Sequence, residues 1–301
     1  IIFDSLEAGH RKAITGTKIY VGDLKTETWL LDQVFEKEKP EAVIHFAAYI
    51  EVSESVKNPQ KYFLNNVGGS LNLLRAMRKN KVSKLVFSST AAVYGEPAKI
   101  PIEEDDPKLP TNPYGESKLM VEKILDWYAR AYGLSSVALR YFNAAGASES
   151  YGEDHNPETH LIPLALKVAL GKKEEFKING DDFDTPDGTG IRDYIHVLDL
   201  AQAHLDALNF LKDKKGKFTA YNVGTGQGHS VLEVVRMVKK ISGIDFKSPI
   251  GPRREGDPAR LVAKAEKIKK DLGWQPRHSD LKTIVESAWK WHQGHPGGYQ
   301  G

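Results

Sequence analysis

Tyr114 and Lys118, in the segment NPYGESK, stand four residues apart and fall on one face of any helix that starts at Pro113. A phenol ionises at about pH 10 and is a poor base at neutrality, but an ammonium one turn away favours the phenolate and makes it a usable proton acceptor. Alone, the spacing reads as a solvated helix pair. Its context points elsewhere: upstream, KLVFSST ends an apolar run in Ser88, Ser89 and Thr90. A hydroxyl at the carboxyl edge of a strand in an open α/β sheet can hydrogen-bond the substrate oxygen that Tyr114 deprotonates. Thr90, Tyr114 and Lys118 are therefore the candidate catalytic set.

The elements that must position this set are legible as alternating patterns. Ile1–Phe3, Lys18–Val21, Ala42–Phe46, Lys84–Ser88 and Ser136–Arg140 read as buried strands, and Glu27–Glu38, Asn66–Asn80 and Pro113–Tyr132 as helices between them. The alternation predicts an α/β fold with a doubly wound, parallel, Rossmann-like sheet. Thr111 or Asn112 can cap the helix that carries Tyr114, and Pro113 suits its first turn. After about residue 145 the rhythm loosens into the long polar loops SESYGEDHNPETH and NGDDFDTPDGTG around a helix over Ile162–Leu170. Two domains are expected, residues 1–145 and 146–301.

Composition removes several classes of function. With 40% hydrophobic and 27% charged residues, the 301-residue chain can bury a large core. The 42 basic and 40 acidic residues are scattered, which argues against a nucleic-acid footprint. The lack of cysteine excludes disulfides and thiolate catalysis and fits a reducing, cytoplasmic compartment. No apolar run approaches the roughly 18 residues of a membrane span.

The segments HFAA, NNVGGSLNLL, SSTAAVYGEP, NPYGESK, ALRYFNAAGA, DGTGIRDYIHVLDLA, NVGTGQGHSV and RREGDPA occur in an order and spacing that resemble the UDP-hexose epimerases of the extended short-chain dehydrogenase family, over essentially the whole chain. The resemblance implies NAD as cofactor, a UDP-sugar as substrate, epimerisation at C4 through a 4-keto sugar, and a homodimer. It also implies that residues 1–145 hold the dinucleotide and that 146–301, a smaller α+β unit with some segments returning to the first sheet, hold substrate. Members of the family open with a strand, a Gly-x-x-Gly-x-x-Gly turn and a helix whose N-terminus holds the pyrophosphate; Asp4 then corresponds to the acidic residue ending the second strand, bonded to the adenosine ribose. The sequence lacks that first strand, turn and helix, so an N-terminally incomplete chain that binds NAD poorly is expected.

Carried over residue by residue, the resemblance places Asp4, Asp23 and Leu24 on the adenine side. Phe46, Ala47, Ala48 and Asn65 line the dinucleotide, Lys118 holds the nicotinamide ribose, and Phe142 lies beside the nicotinamide. On the substrate side it implies Asn143, Arg192 and Arg254 at the diphosphate, Tyr194 and Asp257 at the uridine and ribose, and Thr90 and Tyr114 at the sugar. His160, Leu161, Asn179 and Leu261 complete the substrate set. The chain departs from its relatives at Thr90, often Ser; at Asn179, often an aromatic; at Ile50, Lys in some; and at His160, Asn in others. Leu261 stands where a Tyr tends to exclude an N-acetyl group, so room for UDP-N-acetylglucosamine is expected.

Two rival readings stay open: a related nucleotide-sugar dehydratase or decarboxylase, and a non-catalytic nucleotide-sugar- or NAD-binding protein. Dehydratases usually place Asp-Glu beside the catalytic hydroxyl, where this chain has Ala91-Ala92, and a binding module has no need of a general base. Three further segments look functional but read otherwise. GEDHNPETH holds two histidines and three acids in nine residues, but it lacks helical metal-ligand spacing and lies in a loop where substrate contacts are expected, so no metal is expected. GTGQGHS imitates a phosphate loop without its spacing, and Ser230 with Glu233 forms a capping box. Trp127, Tyr128 and Tyr132 read as core or subunit interface.

Overall fold

A computed structural model describes residues 1–253 and 257–300. In chain order its elements begin with β1 (Ile2–Asp4), β2 (Ile19–Val21), α1 (Thr28–Glu38), β3 (Val43–His45), α2 (Val52–Lys57) and α3 (Pro59–Tyr62). Next come α4 (Gly69–Lys79), β4 (Lys84–Thr90), α5 (Pro113–Tyr132), β5 (Ser135–Tyr141), β6 (Asn143–Ala145) and α6 (Leu161–Ala169). The chain continues through β7 (Ile178–Asn179), β8 (Ile191–His196), α7 (Val197–Phe210), β9 (Phe218–Val223), β10 (Gly228–Ser230) and α8 (Val231–Ser242). It closes with β11 (Ile250–Gly251), β12 (Arg260–Leu261), α9 (Glu266–Leu272) and α10 (Leu281–Gly294).

The chain divides into two compact units. The first comprises residues 1–96, 107–140 and 204–221; the second comprises 97–106, 141–203 and 222–301. The first unit is the α/β body that the alternating pattern predicts. β1 and β2 form a parallel pair, and a second sheet runs in the order β3-β4-β5-β9, with β3 and β4 parallel. Its core joins Leu31 and Phe35 of α1, Leu73 and Met77 of α4, Leu85 and Phe87 of β4, and Val121 and Leu125 of α5. These helix positions recur at three- and four-residue spacing, the stripe a helix needs to bury one face on a sheet.

In the second unit β8 is the hub. β6 and β12 lie parallel to it and β10 antiparallel, with Asn143 opposite Tyr194 and Leu261 opposite Arg192. Ile162, Ala165 and Leu166 of α6, Val234 and Val238 of α8, and Ile284 and Val285 of α10 form its core. Ser230 caps α8 in a complete capping box with Glu233, so GTGQGHS is a turn and cap.

One expected helix needs correction. The helix expected over Asn66–Asn80 is α-helical only from Gly69; Phe63–Gly68 is a wider π-helical segment. Apolar periodicity does not separate the two, because the segment is set by polar contacts of Asn66 rather than by a change of buried face. π-segments concentrate at functional sites.

Candidate active site

α5 delivers the catalytic side chains because its start is fixed from several directions. The Asn112 side chain accepts from Gly115 N–H at 2.9 Å, Pro113 occupies the first turn, and Gly133 ends the helix in the left-handed region at φ 71°. Gly115 lets the helix reach the segment that follows β4: a Cβ there would stand 2.6 Å from the Ala92 carbonyl oxygen. The Thr90 hydroxyl accepts from Ala92 N–H at 3.1 Å and is hydrogen-bonded to the Tyr114 phenol. The structure thus unites Thr90, Tyr114 and Lys118 within the first unit.

The electrostatics differ from the sequence reading in one respect. Tyr114 is held above the usual phenol range by burial, and its Thr90 hydrogen bond only partly offsets this. Lys118 donates to the Ser88 carbonyl at 2.8 Å, with its Nζ 5.9 Å from the Tyr114 ring centre, and burial brings it down to about 7. Lys118 is therefore only partly charged at neutrality, and proximity alone does not make Tyr114 a phenolate. Burial, with the neighbouring Lys118 charge, also pulls His45 down to about 3.

Two polar networks seat the set. Asn66 donates to the Ser117 hydroxyl at 2.9 Å and to the Tyr49 carbonyl at 3.1 Å, and accepts from Tyr49 N–H at 2.9 Å. Ser117 in turn donates to the Tyr114 carbonyl at 2.7 Å. On the far side, Glu122 accepts from Ser89 Oγ at 2.5 Å and from Arg140 Nε and Nη2 at 2.9 and 2.6 Å, while Arg140 Nη1 donates to the Tyr94 hydroxyl at 2.8 Å. Glu122 and Arg140 are 2% and 4% exposed, so this is a buried, fork-shaped ion pair tying α5, the end of β4 and β5 together. Sequence reasoning missed it. The signal was present, since Glu122 continues the four-residue spacing of Tyr114 and Lys118 into an otherwise apolar face.

The remaining first-unit residues lie at strand ends and turns. Asp4 ends β1, its carboxylate accepting Leu6 N–H at 2.7 Å. The Asp23 carboxylate accepts Lys25 N–H at 2.7 Å, and the Leu24 carbonyl accepts from Asn72 at 2.9 Å. Phe46 and Ala47 are exposed just beyond β3, with Ala48 half-buried, and Asn65 donates to Asn66 at 3.1 Å. These residues fit NAD: a carboxylate ends β1, an apolar strip is exposed beyond β3, and a buried amine stands beside a phenol.

In the second unit, Arg192 bonds the Asp257 carboxylate at 2.5 Å. Asn143, Arg192, Tyr194 and Leu261 share the β6-β8-β12 sheet. Tyr194 is buried in the core, and Asn179 ends β7. Phe142 donates to the Val223 carbonyl at 3.3 Å. Arg254 lies outside the described residues. Leu161 opens α6, and His160, just before it, sits 2.7 Å from Glu153 and 3.0 Å from Glu158. Burial opposes the charge of His160, but the two carboxylates outweigh it and raise the ring to about 10. Asp193, unassigned from sequence, is fully buried and accepts from Thr225, Gly226 and Ala263 backbone N–H groups.

A Rossmann-like body with a Tyr-Lys pair on a helix beside a strand-end hydroxyl defines a proton-transfer site of the dehydrogenase type. The family model described as "NAD dependent epimerase/dehydratase family" matches residues 1–224, and the chain belongs to that family. It is 50% identical to the UDP-glucose 4-epimerase of Lacticaseibacillus casei over 99% of this chain and 91% of that one. It is 51% identical to the UDP-glucose 4-epimerase of Halalkalibacterium halodurans over 99% and 90%. The crystal structure of UDP-glucose 4-epimerase from Bifidobacterium longum in complex with NAD+ and UDP superposes with a TM-score of 0.93 at 41% identity, covering 99% of this chain and 92% of that one.

Proposed function

We propose that the protein is an NAD-dependent isomerase that inverts C4 of a UDP-hexose, interconverting UDP-glucose and UDP-galactose through a 4-keto sugar. The observation that carries this is the set Thr90, Tyr114 and Lys118 on a chain whose relatives, at about half identity over nearly its whole length, are UDP-glucose 4-epimerases. Asp4, Asp23, Leu24, Phe46, Ala47, Ala48, Asn65, Lys118 and Phe142 are proposed to hold NAD, which when bound supplies a reversible hydride acceptor.

The chain's own residues do the rest. Tyr114 takes the proton from the 4-hydroxyl as C4 is oxidised and returns it when C4 is reduced on the other face. Thr90, hydrogen-bonded to Tyr114, holds the same oxygen and favours the ionised phenol. Lys118 steadies Tyr114 and the nicotinamide ribose. Asn143 and the guanidinium of Arg192 suit a diphosphate, and guanidinium forks match phosphate oxygens. Arg254, Tyr194, Asp257, His160, Leu161, Asn179 and Leu261 are proposed for the rest of the nucleotide sugar. Such a site grips UDP firmly and the hexose loosely, so that the keto sugar can turn.

Among the described residues no helix is long and apolar enough to cross a membrane. Trp127 and Tyr132, 66% and 54% exposed on α5, support a homodimer with a second copy covering them. The test of the function is conversion of UDP-galactose to UDP-glucose by the full chain with NAD. Formation of a 4-keto-6-deoxy sugar instead would replace epimerisation by dehydration.

A further inference from the structure

The loop between β6 and α6 departs from what its sequence spacing suggests. Glu153, His155, Glu158 and His160 each bring one ligand atom into a group lying within 4.8 Å of one another. Glu153 Oε1 stands 3.0 Å from His155 Nδ1 and 2.7 Å from His160 Nδ1, and Glu158 Oε1 stands 3.0 Å from His160 Nδ1. The two rings stack at 5.3 Å. Ligand spacing along a helix is irrelevant here, because the loop turns back on itself and closes the group.

The support for this cluster is built. Gly152 packs flat on Trp291, where a Cβ would stand 2.1 Å from the ring. Tyr299 brackets Glu153, bonding Gly152 N–H at 3.0 Å and, through its own N–H, Asp154 at 3.0 Å. Glu158 Oε1 accepts the N–H groups of Thr159 and His160, both at 2.8 Å, which orients the carboxylate. A second, independent observation concerns the other oxygen of that carboxylate. The Glu158 side chain is only 3% exposed, and its Oε2 is buried with no hydrogen-bond partner. A buried, unsatisfied carboxylate oxygen is costly, and a cation is the partner it lacks.

We propose that Glu153, His155, Glu158 and His160 form a binding site for one divalent transition-metal ion of the zinc type. Two carboxylates neutralise a dication, and two imidazole nitrogens with two carboxylate oxygens favour zinc over the all-oxygen sites of calcium and magnesium. Four ligands at zinc's usual bond lengths lie about 3.4 Å from one another in a tetrahedron. The 2.7–3.0 Å separations given above are shorter and are those of hydrogen bonds, so the ion takes the place of the shared imidazole protons as the side chains spread. Glu153, His155 and His160 retain 21%, 33% and 38% side-chain exposure, which leaves an entry path from solvent. The ion fastens this loop to α6 and is structural, with no open coordination position required.

The test uses the full chain, stripped with a chelator, loaded with Zn2+ alone and passed through gel filtration before metal analysis. One zinc per chain is expected, with Co2+ in its place giving the intense visible bands of tetrahedral coordination. The double variant His155→Gln/Glu158→Gln is expected to lose the ion while far-UV circular dichroism is unchanged. His155→Gln alone, at a partly exposed position, reads the same loss should the double variant fail to fold. Wild-type chain that retains no zinc while folded, or variants that retain as much as wild type, would overturn the proposal.

Discussion

Removing the Glu122 carboxylate tests whether the buried fork holds the catalytic set in place. Glu122 and Arg140 are almost wholly buried, and Glu122→Ala leaves a guanidinium in the interior with Tyr94 as its remaining side-chain acceptor among the contacts described above, and frees Ser89 beside Thr90. Breaking a buried pair from one side costs about 3–5 kcal/mol, because the stranded charge keeps its desolvation penalty. At about 2–4 °C per kcal/mol for a unit of this size, Tm should fall by roughly 6–20 °C. In the wild type burial opposes the charge of Arg140 and Glu122 outweighs it; without Glu122 the guanidinium still does not escape by losing its proton, because arginine is too basic to deprotonate in a protein. Turnover of UDP-galactose should fall through kcat more than KM, since the fork supports Thr90 and α5. The companion variant Glu122→Leu/Arg140→Met, which removes both charges, should recover most of the stability. Thermal unfolding followed by circular dichroism, with steady-state kinetics on the same samples, provides the measurement. A Glu122→Ala protein within about 1 kcal/mol of wild type, or a double variant no better than the single, would refute the reasoning.

Three further outcomes follow from the same geometry. Gly115→Ala forces α5 away from the Ala92 carbonyl and should cost about 1–3 kcal/mol, with a kcat loss on the order of 10²-fold; unchanged kinetics would mean that the close approach is unimportant. The folded pKa of Lys118, about 7, lies below its unfolded value, so between about pH 7 and 10 the unfolded chain binds the extra proton and the native state gains stability as pH rises. The Tm advantage of Lys118→Met over wild type should therefore shrink from pH 7 to 9.5, and a constant difference would contradict the burial argument. Leu261, opposite Arg192 on β12, should admit an acetamido group, so the wild type should turn over UDP-N-acetylglucosamine and Leu261→Tyr should lower that kcat/KM selectively; an unchanged ratio places the gate elsewhere.

Long periodic elements were readable in the sequence. The helix expected over Pro113–Tyr132 has those bounds in the structure, because an Asn cap, a first-turn proline and a terminal glycine mark it locally. The proton-transfer set was readable for the same reason: helical spacing and a strand end fix where its side chains point. The sheet around β8 was not, since β10 and β12 span only three and two residues and are defined by long-range pairing. The Glu122–Arg140 fork was hidden because its partners lie 18 residues apart on different elements. The convergence of the GEDHNPETH side chains was not legible for a related reason: an irregular loop has no period from which it can be deduced.

The central claim is that Tyr114 moves the proton at C4 of the sugar. The direct measurement is UDP-galactose turnover and UDP affinity of Tyr114→Phe beside wild type, with NAD present. Loss of the phenol removes the base and no anchoring charge, so kcat should fall by at least about 10²-fold, while UDP affinity stays nearly unchanged. Turnover above roughly a hundredth of wild type in a folded, UDP-binding Tyr114→Phe protein would contradict the account.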